Sequence, residues 1–231
     1  MDLSEAKKIM ELNKRFYDLM AEDFMRTRAN VWEEFRSLSE YFREGDQVLD
    51  LGCGNGRFYD LICGQGKTAR YFGVDNSARL IELAKQKYPQ GQFILNDGLA
   101  LPFGDNFFDK VLCIAVLHHL PGYDLRREFL RQAHRVLKKG GLLVLTTWSS
   151  RSSRQRWKFL IKYSWLKIIG RSNLDWGDFY EPWADKGVRY FHNFSTKELR
   201  VLLEDAGFKI ENIGFLTRKS GERNIVVIAR K

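Results

Sequence analysis

Cysteine is scarce in this chain of 231 residues, where only Cys53, Cys63 and Cys113 occur. The number is odd, no two form a C-x-x-C pair, and two of them sit in apolar runs. That excludes a disulfide frame or a cysteine zinc site and fits a reduced, cytoplasmic protein. No spacing of His, Cys or carboxylates marks a metal site, so none is expected. No apolar run approaches the ~18 residues of a membrane span. The start, Met1-Asp2-Leu3-Ser4-Glu5, lacks the basic residues and apolar stretch of a signal peptide. There is no fixed-period self-similarity, which excludes a repeat architecture. Acidic residues are in the minority: 29 Asp and Glu stand against 38 Lys and Arg, a net charge of +9. The excess favours a polyanionic partner, either nucleic acid or an anionic membrane surface.

The balance of 44% hydrophobic and 29% charged residues is that of a globular protein and excludes disorder as the main state. The length suits one large domain, or a domain with a sizeable insertion. Within residues 1–44, Ile9, Leu12, Phe16 and Leu19, then Val31, Phe35, Leu38 and Phe42, recur at helical spacing and predict N-terminal helices. From residue 46 to 148 short apolar runs alternate with helical stretches. Val48–Leu51, Tyr71–Val74, Phe93–Leu95, Val111–Ile114 and Leu142–Leu145 read as strands. Ala78–Tyr88 and Arg126–Leu137 read as helices. The alternation predicts an α/β fold with a mostly parallel sheet covered on both faces. Residues 149–194 are rich in Arg, Lys and Trp, carry no long strand signal, and read as an insertion capping the sheet edge or the active site. In 195–231, Ser195-Thr196-Lys197-Glu198 is a capping box opening a helix that ends at Gly207. Phe208–Phe215 and Asn224–Ala229 then flank the turn-prone Lys219-Ser220-Gly221-Glu222 and predict an antiparallel hairpin.

Candidate ligand-binding residues cluster at the strand ends. Val48 to Phe58 reads VLDLGCGNGRF. The first strand ends at Asp50, and Gly52, Gly54 and Gly56 allow a tight turn with close backbone approach to a ligand. The dinucleotide fingerprint is broken by Arg57, where its third glycine would stand. Asp75 ends the second strand at the ~20-residue spacing of a carboxylate that accepts ribose hydroxyls. Asp97, in Asn96-Asp97-Gly98, ends the third, where a carboxylate can accept from an adenine amino group. His118 and His119 follow the fourth strand. Either one lines the acceptor pocket, as a base for a hydroxyl or amine acceptor, or one packs on a backbone carbonyl while the other is solvated.

VLDLGCGNGRF, YFGVDNS, NDGLALPFGDNFFDKVLCIAVLHHL and RVLKKGGLLVLTTW together resemble, in order and spacing, the class I S-adenosyl-L-methionine-dependent methyltransferases. The resemblance implies a Rossmann-like, doubly wound seven-stranded sheet with one antiparallel strand. It implies S-adenosylmethionine held by Asp50, Gly52, Cys53, Gly54, Gly56, Asp75, Asn76, Asp97, Gly98, Leu99 and Ile114. The flanks AEDFMRTRANVWEEFRSL and FYEPWADKGVRYFHNFSTKEL are similar to the tRNA wobble-uridine methyltransferases that esterify 5-carboxymethyluridine, through Thr27, Arg28 and Trp32, Pro182 and Trp183, and Arg189 to His192. Glu33 stands where that family usually has proline, and Phe191 where a second tyrosine is common. The resemblance implies a tRNA substrate and raises a small zinc-binding activator subunit as a partner.

A carboxylate acceptor is already ionised and needs orientation rather than a base. Arg189, Tyr190 and His192 are the candidates for that role, with His119 beside them and Arg28 on the cofactor's carboxylate. The insertion adds Arg151, Arg154, Lys158 and Lys162, interleaved with Trp157 and Trp165, as a candidate RNA-binding stripe. Two other readings of this stripe stand beside it. One is a cap helix with a solvated basic edge and a core-facing aromatic edge, and the other is a helix lying on an anionic membrane. Other functional readings are methylation of a small molecule or quinone-like lipid, and a catalytically silent subunit that binds RNA or a partner.

Overall fold

A computed structural model describes residues 1–28, 30–64, 69–149, 154–183, 187–218 and 221–231. Five strands, β1 (Gln47–Leu51), β2 (Arg70–Asp75), β3 (Gln92–Leu95), β4 (Phe108–Ile114) and β5 (Leu137–Trp148), run parallel. They are joined by α3 (Tyr59–Cys63), α4 (Ala78–Lys87) and α5 (Tyr123–Val136). The C-terminal hairpin, β8 (Lys209–Thr217) and β9 (Arg223–Arg230), completes a seven-stranded sheet in the order β3-β2-β1-β4-β5-β9-β8. β9 is antiparallel to both its neighbours, so one strand runs against the rest. This is the class I methyltransferase architecture that the resemblance implied.

Alternation along each strand feeds two cores. Leu49, Leu51, Val111, Cys113, Leu143 and Leu145 point to the face covered by α5 and by α7 (Thr196–Asp205). Val48, Leu112, Ile114 and Val144 point to the face covered by α4 and a 3-10 helix at Glu33–Tyr41. A sheet buried on both faces needs these near-continuous apolar runs.

The N-terminal helices are α1 (Leu3–Leu19) and α2 (Ala21–Thr27). Leu19, expected in the buried stripe, is 77% exposed because it ends the helix. Asn13 is buried in the stripe instead and ties α1 down: its Nδ2 donates to the His119 carbonyl at 3.0 Å and its Oδ1 accepts from Tyr190 N at 2.8 Å.

Residues 149–194, which carry no long strand signal and read only as a cap insertion, hold two short strands. After α6 (Arg154–Ile168), β6 (Asp178–Pro182) and β7 (Val188–His192) pair antiparallel as a separate ribbon over the end of β5. Two five-residue strands carrying charged and aromatic side chains give little periodic signal, and their turn falls outside the described residues. Ser195 caps α7 by accepting from Glu198 N at 3.1 Å. The Glu198 carboxylate returns the other half of the capping box to the Ser195 amide and also accepts from His192 Nε2 at 2.7 Å.

Candidate active site

Strand order reverses between β1 and β4, and in such a sheet the crevice opens at the carboxyl ends of those strands. One cleft lies there, about 1080 Å³ including its open mouth. Its floor is the turn after β1. Gly52 and Gly54 have φ of +84° and +55°. A Cβ on Gly52 would collide with the Val116 side chain, so both handedness and space require glycine. The turn is pinned to β2: Gly52 N and Cys53 N donate to the Val74 carbonyl at 2.7 and 2.9 Å, and Gly54 N to Asp75 Oδ2 at 2.8 Å. Asp75 Oδ1 accepts from Ser77 N at 2.9 Å, and desolvation pushes its pKa up. Ala115, at the opposite lip after β4, holds φ at +59°, a strained backbone for a residue with a Cβ and a mark of a functional turn.

Gly52, Cys53, Gly54, Asp75, Asn76, Asp97, Gly98, Ile114 and Arg28 all line this cleft. Asp50, Gly56 and Leu99 do not. Asp50 is buried beneath the turn, where Tyr71 OH donates to it at 2.6 Å and burial raises its pKa to about 7. Gly56 packs against Phe93 and Tyr88. Leu99 contributes a backbone N–H to Asp97 Oδ1 at 2.9 Å, and Asn96 lines the cleft in its neighbourhood.

The other half of the cleft is cationic and aromatic. Arg189 lines it, 3% exposed, with its guanidinium 4.4 Å from the Trp183 ring centre, 4.7 Å from Phe191 and 5.2 Å from Trp148. Its Nη2 donates to Glu181 at 2.8 Å, while its Nε has no partner among the described residues. The same Glu181 accepts from Arg156 at 3.0 Å.

Tyr190 and His192 are not in the cleft. They alternate with Arg189 and Phe191 along β7, so pleating turns them to the opposite face. There Arg126 Nη2 donates to Tyr190 Oη at 2.9 Å and to Asp178 Oδ1 at 3.2 Å. His192 is set between two carboxylates, 2.6 Å from Asp178 and 2.7 Å from Glu198.

His119 reaches the cleft with both ring nitrogens engaged. Nδ1 faces the Tyr190 carbonyl at 3.1 Å, so it carries the proton, and Nε2 accepts from Tyr17 OH at 2.8 Å. Burial, reinforced by Arg189, pushes its pKa down to about 3. His118 is fully buried, stacked on Phe191, and far from the solvated role one histidine was expected to play. Sequence reasoning missed Tyr17, Asn13, Trp148 and Arg57 as cleft residues. The one available signal was Asn13, a polar residue in a buried helical stripe.

On α6, Arg154, Lys158 and Lys162 are exposed. Trp157, Ile161, Trp165 and Ile168 are also exposed, by 42, 53, 61 and 64%, so the aromatic edge does not face the core. Arg156 turns inward to Glu181. Arg151 lies outside the described residues.

The sheet, the glycine turn at the switch point and the acidic strand ends define a class I S-adenosylmethionine-dependent methyltransferase. A family model described as a methyltransferase domain matches residues 49–145. An Encephalitozoon cuniculi protein named as a methyltransferase is 34% identical over 201 residues, covering 87% of this chain and 88% of its own. The tRNA (carboxymethyluridine(34)-5-O)-methyltransferase of Schizosaccharomyces pombe is 27% identical over 222 residues, 86% of this chain and 89% of its own. The crystal structure of a SAM-dependent methyltransferase from Methanosarcina mazei superposes with a TM-score of 0.73 at 24% identity, covering 87% of this chain and 98% of that one. A chain from the Haloferax volcanii complex of the Trm112 methyltransferase activator with a methyltransferase gives 0.65 at 17% identity, covering 93% and 96%. The chain belongs to the class I S-adenosylmethionine-dependent methyltransferases, and S-adenosylmethionine is its cofactor. The cleft fits that group: two glycines leave it room, Asp75 keeps lone pairs free for hydroxyl donors, and a cationic half offers partners for a carboxylate.

Proposed function

We propose that this enzyme methylates the carboxylate of an acidic side chain on a tRNA anticodon wobble uridine. The observation that carries the reading is the chemistry of the acceptor half of the cleft, where the described lining residues include the buried cation Arg189 and one histidine, His119, engaged at both ring nitrogens. S-adenosylmethionine supplies a sulfonium-bound methyl group for an in-line displacement, and the protein supplies alignment and a dry site. Arg189 orients an anionic acceptor beside the Trp148 ring through its free Nε. His119, neutral and hydrogen-bonded at both nitrogens, shapes the wall and takes no proton. Arg28 serves the cofactor's carboxylate. The substrate class draws support from the Schizosaccharomyces pombe relative and from the Arabidopsis thaliana enzyme of the same name, which is 33% identical over 153 residues, 64% of this chain and 36% of its own.

In this reading residues 1–231 act as one methyltransferase domain in the cytoplasm. The exposed basic and aromatic residues of α6 hold RNA outside the cleft, and a small zinc-binding activator assists. The test is incubation of tRNA bearing 5-carboxymethyluridine with the protein and S-adenosylmethionine, with and without such an activator, followed by nucleoside mass analysis. The methyl ester is the expected product. No transfer to tRNA under either condition, with transfer to a demethylated quinol, would overturn the reading. A Thermotoga maritima demethylmenaquinone methyltransferase, 30% identical over 71% of each chain, makes that the pertinent control.

A further inference from the structure

Arg156 stands between Arg154 and Lys158 on the first turn of α6, yet those two are exposed while its own side chain is only 12% exposed. It does not line the cleft but packs on Trp148, which does, with its guanidinium 4.2 Å from that ring centre. Its Nε donates to Glu181 Oε1 at 3.0 Å. The other Glu181 oxygen, Oε2, accepts from Arg189 Nη2 at 2.8 Å. Arg156 Nη1 also lies 3.8 Å from Glu222, which Arg218 holds at 2.8 Å. One buried carboxylate, that of Glu181, is thus divided between two guanidinium groups, one on α6 and one in the cleft.

The division matters because a guanidinium is a planar fork. Its Nε and Nη2 lie on one edge, and that edge matches the two oxygens of a carboxylate. Arg189 gives Nη2 to Glu181, while Nε on the same edge is buried without a partner among the described residues. A carboxylate free to choose closes such a fork and takes both donors. Glu181 takes one, because Arg156 holds its second oxygen. A closed Glu181–Arg189 fork would offer an entering anion a neutral pair with its donor edge filled. The shared arrangement leaves Arg189 an open donor, and Arg156 offsets part of the Glu181 charge. In a buried site of low dielectric that difference counts far more than in water.

We propose that Arg156 is a positioning residue for acceptor binding: by holding Glu181 Oε1 it keeps Arg189 Nε open for the acceptor's carboxylate. Arg156 itself touches no substrate. The inference rests on the reading of Arg189 as the acceptor cation and goes beyond it in naming what sets its selectivity for an anion.

The test uses an anticodon stem-loop RNA carrying 5-carboxymethyluridine and the same RNA carrying the methyl ester. Each is titrated by calorimetry into the protein with S-adenosylhomocysteine bound. The parent should bind the acid at least ~10-fold more tightly than the ester, as for one charge-assisted hydrogen bond. In Arg156→Gln the acid should weaken at least ~10-fold while the ester stays within ~2-fold of the parent. Arg156→Lys, which still gives Glu181 a cation, should keep the acid preference within ~3-fold. Adding Glu181→Gln to Arg156→Gln removes the carboxylate that closes on Arg189, since an amide has a single acceptor oxygen. That double variant should regain the acid preference, a rescue that a packing role for Arg156 does not give. Melting temperature and S-adenosylhomocysteine affinity check that each variant is folded during the titration. An acid preference unchanged in Arg156→Gln would overturn the proposal. So would equal losses on both RNAs, which mark a phosphate contact or a merely structural role, and so would a folded double variant without recovery. A parent without acid preference would overturn the reading of Arg189 itself, and this proposal with it.

Discussion

Asp75 bears on two things at the scale of a single residue. Its oxygens accept from Gly54 N and Ser77 N, holding the glycine turn and the start of α4, and the same carboxylate faces the cleft. Charge-assisted hydrogen bonds to ribose hydroxyls are worth ~1.5–3 kcal/mol each. Asp75→Ala is expected to weaken S-adenosylmethionine binding at least tenfold while circular dichroism stays native, and unchanged affinity by calorimetry would remove Asp75 from the cofactor site. His119 sets the pH behaviour. Its folded pKa lies near 3, below the ordinary 6.5, so its neutral form prevails across the working range. A carboxylate acceptor is ionised there as well, so the rate is expected to stay flat from about pH 6 to 8. Because the folded pKa is depressed, the stabilisation from neutral His119 is complete above about 6.5 and is lost as pH falls towards 3. Melting temperature should therefore drop on acidification, and less so in His119→Ala. Arg189→Ala should cost far more activity at pH 7 than His119→Ala. A steep acid limb in the rate that disappears in His119→Ala would point to a general base.

At the scale of elements, β7 separates two functions by pleat alone. Arg189 faces the cleft and Phe191 packs under it on the same face with Trp148, while Tyr190 and His192 lock the ribbon to α5 and α7 through Arg126, Asp178 and Glu198. Breaking a buried charged network by removing one partner costs ~3–5 kcal/mol. At ~2–4 °C per kcal/mol for a chain of this size, His192→Ala should lower the melting temperature by at least ~6 °C. Its cofactor affinity at 20 °C should stay near the parent's. A large loss of cofactor binding without a change in melting temperature would place His192 functionally in the cleft after all. α6 behaves differently, because its exposed residues stabilise little. Trp157→Ala and Trp165→Ala are expected to leave the melting temperature within ~1 °C, as for surface changes. If these rings stack on unpaired bases, each should cost ~1–3 kcal/mol of tRNA binding.

For the whole molecule, the proposed RNA partner brings a salt test, because the net charge of +9 and the basic edge of α6 would be its phosphate contacts. Each phosphate contact contributes ~0.7–0.9 to the slope of log affinity against log salt. Changing Arg154, Lys158 and Lys162 together to Gln should reduce that slope by up to ~2–3 units, with cofactor affinity unchanged because these residues lie away from the cleft. Parental slope and affinity in the triple variant would show the stripe to be only a solvated face.

Much of this was determined locally. The strand-helix alternation, the glycine turn and the acids at successive strand ends each depend on residues close in sequence, so periodicity and spacing reveal them. They led to the sheet and to a nucleotide-like site at its switch point, and the cofactor followed from the resemblance those motifs carry. What depends on faces and long-range partners was decided by tertiary structure. Asp50 looks like a ligand contact by its place in the motif, yet Tyr71 from the neighbouring strand claims it. The Arg189-Tyr190-Phe191-His192 run reads as one functional patch until an antiparallel partner strand pleats it into two. Arg57 appears in the sequence only as the residue that breaks a glycine fingerprint. Its burial becomes visible once the N-terminal segment folds the Trp32 ring against it, because packing is a property of the surroundings and not of the residue.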